Sequence, residues 1–287
     1  MKAHADCVPC VFAQVLRAAR RVTDDENKLF DVLSRAMELL HDRLSAGTPA
    51  DISTLGLRAV GDVFGPRDLY ADERRHTNQT MLALEPELRR HIAGSPDPVR
   101  TALRIAAAAN MIDFGITDDV DVHAAIARSM AIPFAVDHTE QLIEDLSRST
   151  TLLYLADNSG EIVADKLLLE TIAHPNAWVA VRGAPMLNDA TAADAVEVGL
   201  DRVANVISNG SDRLGTVLDD CSPQLRQCFD QADVIISKGQ ANYESLEHVE
   251  APTYFILTAK CRLVARQLGV EPGDLVVART NHHQKGV

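Results

Sequence analysis

Leu152-Leu153-Tyr154-Leu155-Ala156, followed at once by Asp157-Asn158-Ser159-Gly160-Glu161, is the stretch on which the fold turns. An apolar run ended by a polar, glycine-containing turn reads as a short buried strand that delivers a loop into the start of a helix. The same texture recurs downstream, where the runs Trp178 to Val181, Val203 to Ser208, Val234 to Ser237, Tyr254 to Leu257 and Leu275 to Ala278 alternate with amphipathic helical segments. Strands separated by helices predict an α/β fold with a mostly parallel sheet. Right-handed crossovers put helices on both faces, a doubly wound arrangement.

Upstream, apolar residues recur at three- and four-residue spacing from Cys7 to Arg21, Glu26 to Ala46, Arg67 to Ile92 and Val99 to Asn110, which predicts helices. Gly47-Thr48-Pro49 ends one segment, Gly65-Pro66 opens the next, and Gly94-Ser95-Pro96-Asp97-Pro98 separates the last two. No strand is expected before about residue 150. The 287 residues thus divide into a helical region, 1–148, and an α/β domain, 149–287.

Composition narrows the function. Hydrophobic residues make up 46% and charged residues 24%, an ordinary globular balance. A net charge of -13 without any basic run argues against nucleic acid or an anionic membrane as partner. No apolar run approaches the roughly 18 residues of a membrane span, so a cytoplasmic location is expected. The five cysteines are an odd number, and reduced thiols are expected. Cys7 and Cys10 form half of a zinc motif that no second Cys-x-x-Cys completes, which favours a structural role at the first helix.

In open α/β sheets ligands bind at the carboxyl ends of the strands. Those ends carry Asp157-Asn158-Ser159-Gly160-Glu161, Asn188-Asp189, Ser208-Asn209-Gly210, Lys238-Gly239 and Lys260. Hard oxygen donors suit Mg²⁺ or Mn²⁺, the lysines suit phosphate, and the helix start at Asn158 and Gly160 offers free N–H groups to an anion. Taken singly, Asp157 or Asn188-Asp189 reads equally as a helix cap, and either lysine as a solvated charge. Convergence at one sheet edge is what argues for a site. Only Gly160 stands where a dinucleotide fold needs G-x-G-x-x-G, and Ser159 stands where an aspartyl-phosphate enzyme carries an acid, so water is the expected nucleophile.

Six motifs along the chain resemble those of the DUF89 family, the ARMT1-like or damage-control phosphatases. They are Cys7-Val8-Pro9-Cys10; Asp68-Leu69-Tyr70 with Arg74 and Asn78; Asn110-Met111-Ile112-Asp113; Asp157 to Glu161; Leu187-Asn188-Asp189-Ala190-Thr191; and Lys238-Gly239-Gln240-Ala241-Asn242-Tyr243-Glu244. The resemblance implies a helical portion over a Rossmann-like domain and a divalent metal ion (Mn²⁺, Co²⁺, Ni²⁺ or Mg²⁺) held by Asp157, Asn158 and Asp189. It implies that Lys238 meets the substrate phosphate and that Asn110 and Asp113 reach the same cleft. Arg74 stands where the family often has Lys, and Arg suits bidentate phosphate binding.

The expected activity is metal-dependent hydrolysis of a small phosphorylated metabolite. Asp113 would orient the water, and Arg74, Asn78, Asn110, Gly160, Asn209, Asn242 and Lys260 would contact substrate. The alternatives are an S-adenosylmethionine-dependent carboxyl methyltransferase, which the same family also suggests, or a metal- or metabolite-binding protein without turnover.

Overall fold

A computed structural model describes residues 1–110 and 132–280. The chain opens with α1 (Cys7–Arg20), α2 (Glu26–Leu40), α3 (Pro49–Phe64), α4 (Ala71–Ala93) and α5 (Pro98–Ala109). Next come β1 (Val136–Asp137), α6 (Thr139–Arg148), β2 (Leu152–Leu155), α7 (Glu161–Ile172), β3 (Ala177–Val181), α8 (Ala192–Glu197) and β4 (Asn205–Ser208). The chain continues through α9 (Pro223–Gln231), β5 (Val234–Lys238), α10 (Gln240–Leu246), β6 (Thr253–Thr258), α11 (Arg262–Leu268) and β7 (Leu275–Arg279).

The sheet has seven strands in the order β1-β7-β6-β5-β2-β3-β4, parallel throughout except that β7 runs antiparallel to β6. It is the mixed α/β sheet expected, with one strand more. Val136 and Asp137 pair with Val276 and Val277 on β7, so strand structure begins before residue 150, and a two-residue strand is too short to leave a period-2 pattern.

Alternation along each strand divides two cores. Leu152, Tyr154, Val179, Ile236, Tyr254 and Val277 face a layer made by α4, α5 and α7. Leu153, Leu155, Ala180, Ile235, Phe255 and Val276 face the layer of α9, α10 and α11. Every β2 residue is therefore buried, the mark of a strand covered on both faces. A third core joins α1, α2 and α3, and Leu214 of the α/β portion inserts into it.

Among the described residues, two helices were not expected. For α3 the residues Gly47-Thr48-Pro49 do end one segment, but they also start the next. Thr48 accepts from Asp51 N at 3.1 Å, Asp51 accepts from Thr48 N at 2.8 Å, and Pro49 occupies the first turn, where no N–H is needed. For α6, Asp137 accepts from Thr139 N just ahead of the first turn. Elsewhere α2 stops at Leu40 and α4 begins at Ala71, both shorter than the apolar spacing suggests. Among the described residues no helix is long and apolar enough to cross a membrane.

Candidate active site

The strand order reverses between β2, from which the chain moves outward to β3 and β4, and β5, on the other side of β2. Ligands of doubly wound sheets gather at such a point, where the loops after the two strands turn apart and leave a crevice. Asp157 follows β2, and Gly239 follows β5. A Cβ at Gly239 would stand 1.8 Å from Asp157 Oδ2, and its φ of +81° is one that glycine adopts freely.

Main-chain bonds bring the Asp189 loop to the same place. Asn158 and Asp189 form an isolated antiparallel bridge, Ser159 N donates to Asn188 O at 2.9 Å, and Ala190 N donates to Asp157 O at 2.8 Å. Opposed residues of such a bridge project their side chains to one side. Leu187, just before this loop, holds φ +48°, an uncommon conformation for a branched side chain, and Arg74 donates to its carbonyl at 3.2 Å.

Neither aspartate is a helix cap. The N-cap of α7 is Gly160, with no side-chain cap bond, and the N-cap of α8 is Thr191, whose N–H and hydroxyl donate to Asp194. That removes the plainer reading of both residues. Asp157 and Asp189 are buried beside Glu161, and neither side chain caps a helix, although Asp189 N closes a turn onto Met186 O at 3.1 Å.

The side chains form one connected set. Asp157 Oδ2 accepts from Asn110 Nδ2 at 3.3 Å and Asn158 Nδ2 at 3.0 Å. Glu161 Oε1 accepts from the same two amides at 2.8 and 2.7 Å. Glu161 Oε2 takes Lys238 Nζ at 3.4 Å, and Lys238 gives its shorter bond, 2.6 Å, to Asp165, which also accepts from Tyr154 OH at 2.6 Å. Asp189 is gripped by Arg182 Nε at 2.5 Å. Asp165, Tyr154 and Arg182 were not among the expected site residues, and Glu161 was expected only as part of the strand-end stretch, with no role of its own. Arg182 was within reach of the strand-end rule, since it directly follows β3. Asp165 lies one helical turn after Glu161, on the helix face that looks at the sheet.

Electrostatics follow from burial. Asp157 is pushed well above the usual carboxylate range by loss of water and then by the nearby charges of Glu161 and Asp189. Burial raises Asp189 too, with Arg182 opposing. Burial carries Asp165 up to about 6 against the pull of Lys238. For Lys238 burial works against the charge, but Asp165 and Glu161 overcome it and the ammonium titrates above its ordinary value.

The remaining expected residues fall around this centre. Asn110, at the end of α5, accepts from Thr258 N at 3.1 Å, so the helical region does reach the strand ends. Lys238 is fully buried. Lys260 is exposed at the rim, near enough to Asp157 to oppose the rise of its pKa, and its N–H donates to Gln240. Gly160 N donates to Asn78 Oδ1 at 2.7 Å, and Asn78 Nδ2 donates to Asp194 and Glu197. Arg74 pairs with Asp68 at 2.6 Å and Asp194 at 3.3 Å. Asn242 donates to the carbonyls of Ala156 and Lys238, and Asn209 accepts from Gly183 N and Ser211 N in a separate loop contact. Asp113 lies outside the described residues.

The donors suit a hard cation. Asp157, Asn158 and Asp189 offer oxygens, and positive charge between them would offset the burial, and after it the neighbouring carboxylates, that raise both carboxyls. Among the described residues no group of three or more His, Cys, Asp or Glu side chains is arranged as a metal site, and the strand-end trio is two carboxylates and an amide. A cavity of about 610 Å³ lies elsewhere, lined by Arg89, Lys166, Glu170 and Arg202 toward the C-terminal end of α7. Lys166 pairs there with Glu85, and Arg89 with Glu85 and Glu170. We place the site at the strand ends instead, because that is where buried charge lacks a full set of countercharges.

Comparison with known proteins agrees with this architecture. A family model described as the damage-control phosphatase ARMT1-like domain matches residues 3–276. The chain is 32% identical to a protein of Archaeoglobus fulgidus named damage-control phosphatase, over 96% of this chain and 98% of that protein. It is 29% identical to a damage-control phosphatase of Pyrococcus horikoshii, over 97% and 98% respectively. The crystal structure of a DUF89 family protein from Pyrococcus horikoshii superimposes with a TM-score of 0.91 at 28% identity, covering 98% of this chain and 100% of that one. This chain belongs to the damage-control phosphatase ARMT1-like family.

Proposed function

We propose that the protein is a metal-dependent phosphatase that hydrolyses a small phosphorylated metabolite, and that it works in the cytoplasm, a compartment its five free cysteines suit. The observation that carries this is the joining of the Asp157 and Asp189 loops by the Asn158–Asp189 bridge, at the switch point of the sheet. The names of the two relatives above support the reaction class.

Asp157, Asn158 and Asp189 would hold Mn²⁺, Co²⁺, Ni²⁺ or Mg²⁺. When bound, the cation supplies Lewis acidity, drawing charge from a phosphoryl oxygen and activating water. Lys260 at the rim draws an anionic substrate in, and Arg182 keeps Asp189 oriented. Lys238 contributes positive charge from beneath the site, where a buried ammonium acts on developing charge with little screening. Asp113 is assigned to orienting the attacking water. Phosphoryl transfer asks for positioning and charge more than for a protein nucleophile, which fits a site built of oxygen ligands and cationic donors.

The test is release of inorganic phosphate from a panel of sugar phosphates, nucleotides and cofactor-related phosphates, with each metal in turn. Turnover that persists after exhaustive chelation, with metal content measured as zero, would overturn the metal assignment. Absence of hydrolysis across the panel with every metal would overturn the phosphatase reading.

A further inference from the structure

Glu161 has no place in the metal trio, yet its side chain makes more of the centre's side-chain bonds than any side chain of those residues does. One carboxylate oxygen takes the Nδ2 groups of both Asn110 and Asn158, at 2.8 and 2.7 Å, and the other takes Lys238 at 3.4 Å. The side chain is 2% exposed, and it starts the first turn of α7, whose backbone Gly160 fixes through the bond to Asn78.

An amide has one donor end and one acceptor end. Once both protons of Asn158 are aimed at Asp157 and Glu161, its oxygen is turned away from those two carboxylates. Left alone, the amide could turn either end toward a cation, and one of those ends repels it. Asn110 is fixed likewise, with its oxygen held by Thr258 N.

We propose that Glu161 is the positioning residue of this centre: through its bond to the Asn158 amide it selects the oxygen-forward state of Asn158, while Lys238 and Asn110 hold the Glu161 carboxylate in place. Asp165 and Tyr154 complete the support by pinning Lys238 from below. The inference rests on the metal-site reading above.

Binding of Mn²⁺ alone to the full chain, measured by calorimetry, separates orientation from charge. Glu161→Gln and Glu161→Met both remove the negative charge, but only Gln keeps a carbonyl that can accept from the two amides. Glu161→Met should weaken Mn²⁺ binding by about ten- to hundredfold, the range for loss of a residue that orients a ligand. Glu161→Gln should weaken it several-fold less, with both variants unfolding cooperatively. Equal losses would mean that charge alone matters and would overturn the proposal, as would unaltered affinity in Glu161→Met.

A second cycle covers the case in which the Met variant does not fold. In an Asn158→Asp background there is no amide to orient, so adding Glu161→Gln should cost no affinity, whereas a merely structural Glu161 would cost the same in both backgrounds. If wild-type protein takes up none of the four metals, the metal reading itself has failed. If wild type binds and the Glu161 variants bind as well as it does, only this inference has.

Discussion

At the scale of single residues the site sets buried charge against stability. Replacing Asp157 by Asn removes one member of a crowded acidic set, so the metal-free variant should melt no lower than wild type, while phosphate release should fall at least about a hundredfold. Asp189→Asn should lose activity likewise but melt lower, because it takes the carboxylate from buried Arg182. A variant with near-normal turnover and Mn²⁺ affinity would strike that residue from the ligands. Glu244 offers a pH test away from the proposed metal site. Burial pushes its carboxyl up to about 7, above the value of 4.5 it has in an open chain, so the folded state binds its proton more tightly. Its contribution is fully present below about pH 4.5 and is lost as pH rises through about 7, amounting to roughly 3 kcal/mol. Urea denaturation across that range should show stability falling in wild type, and Glu244→Gln should flatten the dependence.

Among the secondary-structure elements, the joint between β5 and α10 decides whether the centre can form. Gly239 lies against Asp157 and has a positive φ, so Gly239→Ala meets both a clash and backbone strain. Strain of this kind costs about 1–3 kcal/mol before the clash is counted. We expect a lowered melting temperature together with lost Mn²⁺ affinity, and an alanine variant that keeps both would mean the two loops do not touch as described. The start of α3 shows how one signal can hide another. Thr48-Pro49 with Asp51 is a capping box with proline in its first turn, yet beside Gly47 the same residues read as the end of the preceding segment.

For the molecule entire, the competing reactions predict different protecting ligands. A ligand that binds only the folded state adds about 2.7 kcal/mol at a hundred times its dissociation constant. With Mn²⁺ present, inorganic phosphate should therefore raise the melting temperature of wild type and leave Asp157→Asn almost unmoved. Protection by S-adenosylmethionine at micromolar concentration, without any from phosphate or phosphate esters, would instead support the methyltransferase alternative. The fold serves either chemistry, so ligand-dependent melting separates them where architecture does not.

The alternation of strand and helix, the helical lead-in, the family and the oxygen-rich residues at the strand ends were all legible in the order of the residues. Periodicity and turn chemistry act over a few neighbouring positions, so they survive in the chain before it folds. Strand order was not legible, nor was the antiparallel return of β7, because pairing is settled by packing between distant segments. The bonds that make a site of the strand ends are of that kind. Lys238 and Glu161 are 77 residues apart, and Asn110 and Glu161 are 51 apart. Asp157, Asn158 and Asp189 came into view as separate strand-end residues. Only the closing of the sheet on both faces brought Glu161, Asp165 and Lys238 together out of water, where an unpaired charge would cost several kcal/mol and each must therefore find its partner.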